Sequence, residues 1–142
     1  MVPDPDHVAD DEELYRSIKQ EFLTTEDGVL RARSEAFGDR EQQVSVDRAL
    51  LLDKDPRRAR RTEGAAVACL LASAVRIKIP QRDVKGREVG TYVIDVIPEP
   101  RPDNPAHAVI YANPDFVSPN HFRKLREHLA RTHQIVLLPE GE

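Results

Sequence analysis

The strongest constraint on the fold is the segment Thr91–Ile97, TYVIDVI, which is rich in residues branched at Cβ. Such side chains favour extended backbone, so this segment predicts a β-strand. Lys85 and Gly86 lie between it and a second extended segment, Arg76–Ile79. The two segments are therefore predicted to form a hairpin with a long, charged loop.

Other short segments predict further strands. His107–Ala112 and Gln134–Leu138 are predicted strands, and Val29–Phe37 has the two-residue period of an edge strand. The apolar run over residues 65–79 is compatible with either a helix or strands, because periodicity alone does not separate the two. Gly64 and Pro80 bracket this run, which favours a strand over Ala65–Leu71 followed by a second extended piece.

Two helix starts are visible, at Asp55-Pro56 and Ser118-Pro119, where a capping side chain precedes a proline at the first helical position. The second helix carries an apolar stripe, consisting of Phe122, Leu125 and Leu129. Strands and helices do not alternate regularly. The sequence therefore predicts a single α+β domain, with a mainly antiparallel or mixed sheet of four to five strands and two to three helices.

Charge is distributed unevenly along the 142 residues, whose net charge is -4. Residues 1–13 contain six acidic residues and no Lys or Arg, and Pro3 and Pro5 oppose regular structure there. Residues 1–12 are therefore predicted to form a disordered acidic tail, and residues 13–142 to form the domain.

The composition also bears on the cellular location. The longest stretch without a charged residue, Gly64–Val75, has 12 residues, whereas a membrane-spanning helix needs about 20. Cys69 is the only cysteine and cannot form an internal disulfide, which favours a reducing compartment. No membrane contact and a cytoplasmic location are predicted.

A basic segment, Lys54–Arg61, suggests one kind of partner. On a helix its arginines would form a cationic face that could bind nucleic acid phosphates. The candidate residues are Arg57, Arg58, Arg60 and Arg61. A nucleic-acid-binding accessory is therefore one functional hypothesis.

A second set of residues could form an active site if strand ends meet at one rim of the sheet. Two arginines there would hold an anionic substrate, and a histidine after the proline-rich loop would transfer a proton. The candidate catalytic residues are Tyr15, Arg16, Arg33, Ser34, Ser45 and His107. The implied chemistry is phosphoryl or ribosyl transfer, or RNA cleavage. No metal site and no cofactor are predicted, because no motif for either occurs.

Several short motifs carry a resemblance: LYRSI at 14–18, RARSEAF at 31–37, VSVDRA at 44–49 and NPAHA at 104–108. In this order they are similar to a family of small, uncharacterised bacterial proteins. The LYR opening is also similar to ADP-ribosyltransferase-like folds, but the Ser-Thr-Ser motif and the late catalytic Glu of those folds are absent.

The resemblance implies a small bacterial cytosolic protein and brings no activity with it. The leading hypothesis is an accessory protein that acts through protein contacts, in a defence or toxin–antitoxin type of system. This hypothesis favours a binding protein over an enzyme, because no complete catalytic set is visible in the sequence.

Overall fold

The structure, a computed structural model, describes residues 3–140. Its main feature is a seven-stranded, fully antiparallel sheet with the strand order β6-β7-β8-β4-β1-β5-β9. These strands are β1 (Glu13–Ile18), β4 (Val44–Arg48), β5 (Ala66–Leu71), β6 (Lys78–Arg82), β7 (Glu88–Pro98), β8 (His107–Asn113) and β9 (Gln134–Leu137). A separate hairpin pairs β2 (Leu23–Glu26) with β3 (Val29–Ala32).

One face of the sheet carries the larger hydrophobic core. Helix α2 (Pro119–Thr132) packs on this face and buries the apolar stripe that its sequence predicts. The Ser118 hydroxyl accepts a hydrogen bond from the His121 N–H, so the cap is formed as predicted. Neither helix within residues 3–140 is long and apolar enough to cross a membrane.

The predicted fold class, with four to five strands and two to three helices, is wrong. Within residues 3–140 the chain is a sheet-rich single domain with nine strands, and α1 (Ala72–Val75) is only four residues long. The helix expected to start at Asp55-Pro56 is a short 3-10 helix over Pro56–Ala59. A capping residue and a proline are sufficient to start a turn, but they do not determine how far a helix continues.

The ambiguous run over 65–79 resolves as two strands separated by a helical turn. Strand β5 covers Ala66–Leu71, as expected, but α1 follows it directly and β6 begins only at Lys78. Strands β1 and β2 lack the strict alternation of apolar and polar residues that indicates a strand.

The acidic segment before β1 is anchored to the domain, although its charge predicts a disordered tail. Val8 is fully buried, and the Glu12 carboxylate forms a buried ion pair with Arg48. The Val8 carbonyl also accepts a hydrogen bond from Arg76. The charge pattern could not reveal this anchoring, because the partners Arg48 and Arg76 are distant in sequence. Residues 1 and 2 of the predicted tail lie outside the described residues.

Buried His133 makes the stability of the fold dependent on pH. Its Nε2 accepts a hydrogen bond from the Ala32 N–H, and its Nδ1 donates one to the Leu129 carbonyl. Burial lowers the pKa of His133 below its ordinary value of 6.5. Below pH 6.5 the unfolded chain therefore binds a proton that the folded protein does not accept, and stability falls as the pH decreases.

We expect the free energy of unfolding of the wild type to fall by about 1 kcal/mol more than that of His133→Gln between pH 7.5 and 5.5. Urea denaturation at the two pH values measures this difference. Equal losses in the two proteins would contradict the conclusion that buried His133 resists protonation in the folded protein.

Candidate ligand-binding site

Four reactive side chains form a row across the sheet. The strand register places Cys69 opposite Tyr15, Tyr15 opposite Asp47, and Asp47 opposite His107. Directly opposed residues of antiparallel strands point to the same face, with Cβ atoms about 5 Å apart. Because neighbouring Leu14 belongs to the core under α2, the row lies on the opposite face of the sheet.

Three members of the row, Tyr15, Asp47 and His107, form the floor of a cavity of about 340 Å³. Loop residues Arg61 and Asn104 close its sides, together with Lys19 and Arg101. This volume is at the lower end of the range for small-molecule sites. The sheet therefore places polar side chains in a concavity that a small ligand can enter.

The cavity exists because β1 and β4 separate. Both strands are longer than their pairing, which consists of Leu14 with Arg48 and Tyr15 with Asp47. Beyond these pairs the Arg16 guanidinium fills the gap, where it donates to the Ser45 carbonyl at 2.7 Å and to the Ala36 carbonyl at 2.8 Å. Arg16 thus has a structural role at the end of the cavity.

Asp39 uses most of the remaining donors of Arg16. Two hydrogen bonds of 3.0 Å join its carboxylate to Nη1 and Nη2 of Arg16, and the Ser45 N–H donates a third at 2.6 Å. Burial opposes ionisation of Asp39, but these bonds outweigh it and hold the pKa of Asp39 below its ordinary value. Arg16 therefore retains one free N–H within the described residues, which is too few for the predicted forked contact with a substrate.

Asp47 is the central carboxylate of the floor and is 6% exposed. Its Oδ2 accepts a hydrogen bond from Arg61 Nη2 at 2.6 Å, and its Oδ1 accepts one from Asn104 Nδ2 at 2.8 Å. The carboxylate thereby ties two loops to the sheet. Asp47 was not among the predicted site residues, although its two-residue spacing from Ser45 places both on one face of β4.

His107 has one satisfied and one unsatisfied ring nitrogen. Its Nδ1 lies 2.9 Å from the Glu99 carbonyl oxygen, and because a carbonyl only accepts hydrogen bonds, Nδ1 carries the proton. In the neutral ring Nε2 is then an unprotonated acceptor. This atom is buried and has no partner among the described residues, and the side chain is 6% exposed.

The six predicted catalytic residues lie at two different places. Tyr15, Arg16, Ser45 and His107 line the central cavity. The other two, Arg33 and Ser34, line a second cavity beside α2. They follow β3, which pairs only with β2 and does not belong to the main sheet, so the rim that would bring all six together is not formed.

The four arginines of the predicted nucleic-acid face each form an ion pair, and nucleic-acid binding by them stays a prediction. Arg57 pairs with Asp55, and Arg58 pairs with Asp53. The other two arginines bind more distant carboxylates: Arg60 contacts Glu140, and Arg61 contacts Asp47. All four guanidinium groups therefore have a carboxylate partner within the protein.

Cys69, at the far end of the row, is not a nucleophile at neutral pH. Burial and the nearby Glu13 carboxylate raise the pKa of its thiol to about 11. Burial also raises the pKa of the Tyr15 phenol. Both groups are therefore protonated at neutral pH, and His107 is the group of the row best suited to proton transfer.

Comparisons of the chain with protein-family models, curated proteins and solved structures find no match. Among residues 3–140, no group of three or more His, Cys, Asp or Glu side chains is arranged to hold a metal ion.

Proposed function

We propose that the central cavity binds a small polar ligand and that His107 Nε2 accepts a proton from it. One observation carries this proposal: Nε2 is a buried acceptor without a hydrogen-bond partner in the part of the chain described. Buried polar atoms are nearly always hydrogen-bonded, so an exception beside a cavity points to a partner that binds there. A ligand O–H or N–H group would supply the missing donor.

The surrounding residues support acid–base chemistry. The Glu99 carbonyl holds the His107 ring in the tautomer that leaves Nε2 free to accept. Arg61 is anchored to Asp47 by one N–H, and its side chain is 52% exposed. A positioned base beside a cation fits metal-independent transfer or cleavage at an anionic group, the enzyme hypothesis that the sequence leaves open.

A panel of small metabolites tests this proposal by thermal shift. The panel contains sugars, amino acids, carboxylic acids and phosphate esters. His107→Asn is the informative variant, because its amide can still donate to the Glu99 carbonyl while Nε2 is removed. His7→Asn is the matched control, because His7 is exposed and lies outside the cavity lining.

We expect at least one compound to raise the Tm of the wild type and the His7→Asn control. The same compound should bind His107→Asn about tenfold more weakly, which corresponds to the loss of one hydrogen bond. A panel without any stabilising compound, or equal binding by His107→Asn, would contradict the proposal.

A second candidate is the accessory function through protein contacts, with the cytoplasmic location predicted from the sequence. It is favoured by Val93 and Ile97 of β7, which are 45% and 41% exposed. Both point to the sheet face opposite α2, because the alternating residues Ile94 and Val96 belong to the core under that helix. Size-exclusion chromatography with the products of neighbouring genes tests this function, and failure to co-elute with any of them would count against it.

A further inference from the structure

We propose that the ligand of the central cavity carries a phosphate group, which binds at the end of the cavity formed by Ser17, Lys19 and Arg61. This proposal rests on the proposed function and names the chemical class of the ligand. The observation behind it is an excess of unused hydrogen-bond donors at this end of the cavity.

The donors can be counted residue by residue. The Arg61 guanidinium gives one N–H to Asp47, and within the described residues its other four N–H groups have no acceptor. Its backbone N–H donates to Ser17 Oγ at 3.0 Å, which fixes both residues side by side and leaves the hydroxyl proton of Ser17 free to donate. Lys19 lines the same cavity and forms no ion pair with the part of the chain described.

The carboxylates that line the cavity do not compete for these donors. Asp39 is bound by Arg16 and the Ser45 N–H, and Asp47 is bound by Arg61 and Asn104. The third, Asp103, lies on the loop before Asn104 and forms no ion pair with the described residues. An incoming anion at the Lys19 end therefore meets cations and hydroxyl groups.

The region beyond Lys19 limits where the phosphate can bind. Lys19 and Thr62 also line a neighbouring cavity, whose other walls include Glu21, Glu63 and Glu140. These acidic side chains repel an anion, so a phosphate is held at the boundary between the two cavities. The rest of the ligand then extends toward Tyr15 and His107, where Nε2 accepts its proton.

Phosphate fits this donor set better than a carboxylate does. The three or four oxygen atoms of a phosphate group can together accept hydrogen bonds from a forked guanidinium, an ammonium and a hydroxyl group. A carboxylate offers only two oxygen atoms. The phosphate could belong to a phosphate monoester or be the free ion. Both present the same chemistry to Ser17, Lys19 and Arg61.

Isothermal titration calorimetry at constant ionic strength tests the proposal with four probes. The probes are inorganic phosphate, glycerol 3-phosphate, uridine 5′-monophosphate and sulfate. Lys19→Gln removes an exposed cation without disturbing an ion pair, and Arg61→Lys keeps the charge but removes the fork. Lys124→Gln, an exposed residue of α2 outside the cavity, is the matched control.

We expect at least one phosphate compound to bind, and Lys19→Gln to weaken its binding by about tenfold while Lys124→Gln leaves it unchanged. Tighter binding of the esters identifies an ester ligand, whereas equal binding of inorganic phosphate identifies the free ion. Arg61→Lys should also weaken binding while the protein remains folded, as its Tm shows.

Two results would overturn the phosphate inference: no binding of any phosphate compound, or unchanged affinity in both Lys19→Gln and Arg61→Lys. If a compound without phosphate binds in a manner that depends on His107, the inference fails while the proposed function stands. Loss of both phosphate binding and all His107-dependent binding would contradict the two proposals together.

Discussion

Replacing Arg48 by methionine is expected to lower the free energy of unfolding by about 3–5 kcal/mol. Arg48 and Glu12 are 1% and 2% exposed, and two hydrogen bonds of 2.8 and 2.7 Å join them. Burial raises the pKa of Glu12, but Arg48 and the Ala9 N–H outweigh this effect, so the carboxylate remains ionised. Without Arg48 the Glu12 carboxylate is a buried charge without a cation, and such a charge strongly destabilises the folded protein.

Urea denaturation of a matched set measures this loss. The double variant Arg48→Met/Glu12→Leu removes both charges and should recover much of the stability. The lowered pKa of Glu12 stabilises the fold above pH 4.5, and this contribution is lost as the pH falls through the folded pKa. The difference between wild type and Arg48→Met should therefore shrink at acid pH. If Arg48→Met lowered the free energy of unfolding by less than about 1 kcal/mol at pH 7, Arg48 would not be the cation that stabilises the buried Glu12 carboxylate.

The second large effect is expected at Arg16. Arg16→Met removes the hydrogen bonds to the Ala36 and Ser45 carbonyls and both bonds to Asp39. We expect a loss of about 2–4 kcal/mol, because hydrogen bonds to charged groups contribute more than neutral ones. The gap between β1 and β4 also loses its filling, so ligand affinity at the cavity should fall as well.

Asp39→Asn is the matched comparison for Arg16→Met. The asparagine oxygen can still accept from the Ser45 N–H or from Arg16, so about half of the stability loss is expected. Denaturation curves of the two variants give the ratio. If Arg16→Met were no less stable than Asp39→Asn, the guanidinium would not hold this end of the cavity together.

Local signals in the sequence account for the elements that were predicted correctly. The β-branched segment Thr91–Ile97 lies inside β7, and the Ser118-Pro119 signal marks the start of α2. Both signals act through the backbone preferences of adjacent residues, so they are readable without knowing the fold. The helix signal at Asp55-Pro56 was equally local, but it specified only one turn.

The features that the sequence did not reveal depend on pairing between distant segments. The row of Cys69, Tyr15, Asp47 and His107 exists only in the observed strand register. Arg33 was expected beside this row, but it follows a hairpin that lies outside the main sheet. The anchoring of Glu12 likewise requires Arg48, which lies on β4. Neither composition nor periodicity contains information on such contacts.

The ¹⁵N NMR spectrum of the His107 imidazole tests the central claim most directly. For the protein alone, the structure predicts a proton on Nδ1, which faces the Glu99 carbonyl, and an Nε2 without a hydrogen-bond partner among the described residues. Addition of a compound that binds in the cavity should shift the Nε2 resonance toward the hydrogen-bonded or protonated position and leave that of Nδ1 nearly unchanged. A proton on Nε2 in the free protein, or an Nε2 resonance unaffected by the bound compound, would contradict the proposal that His107 Nε2 accepts a proton from the ligand.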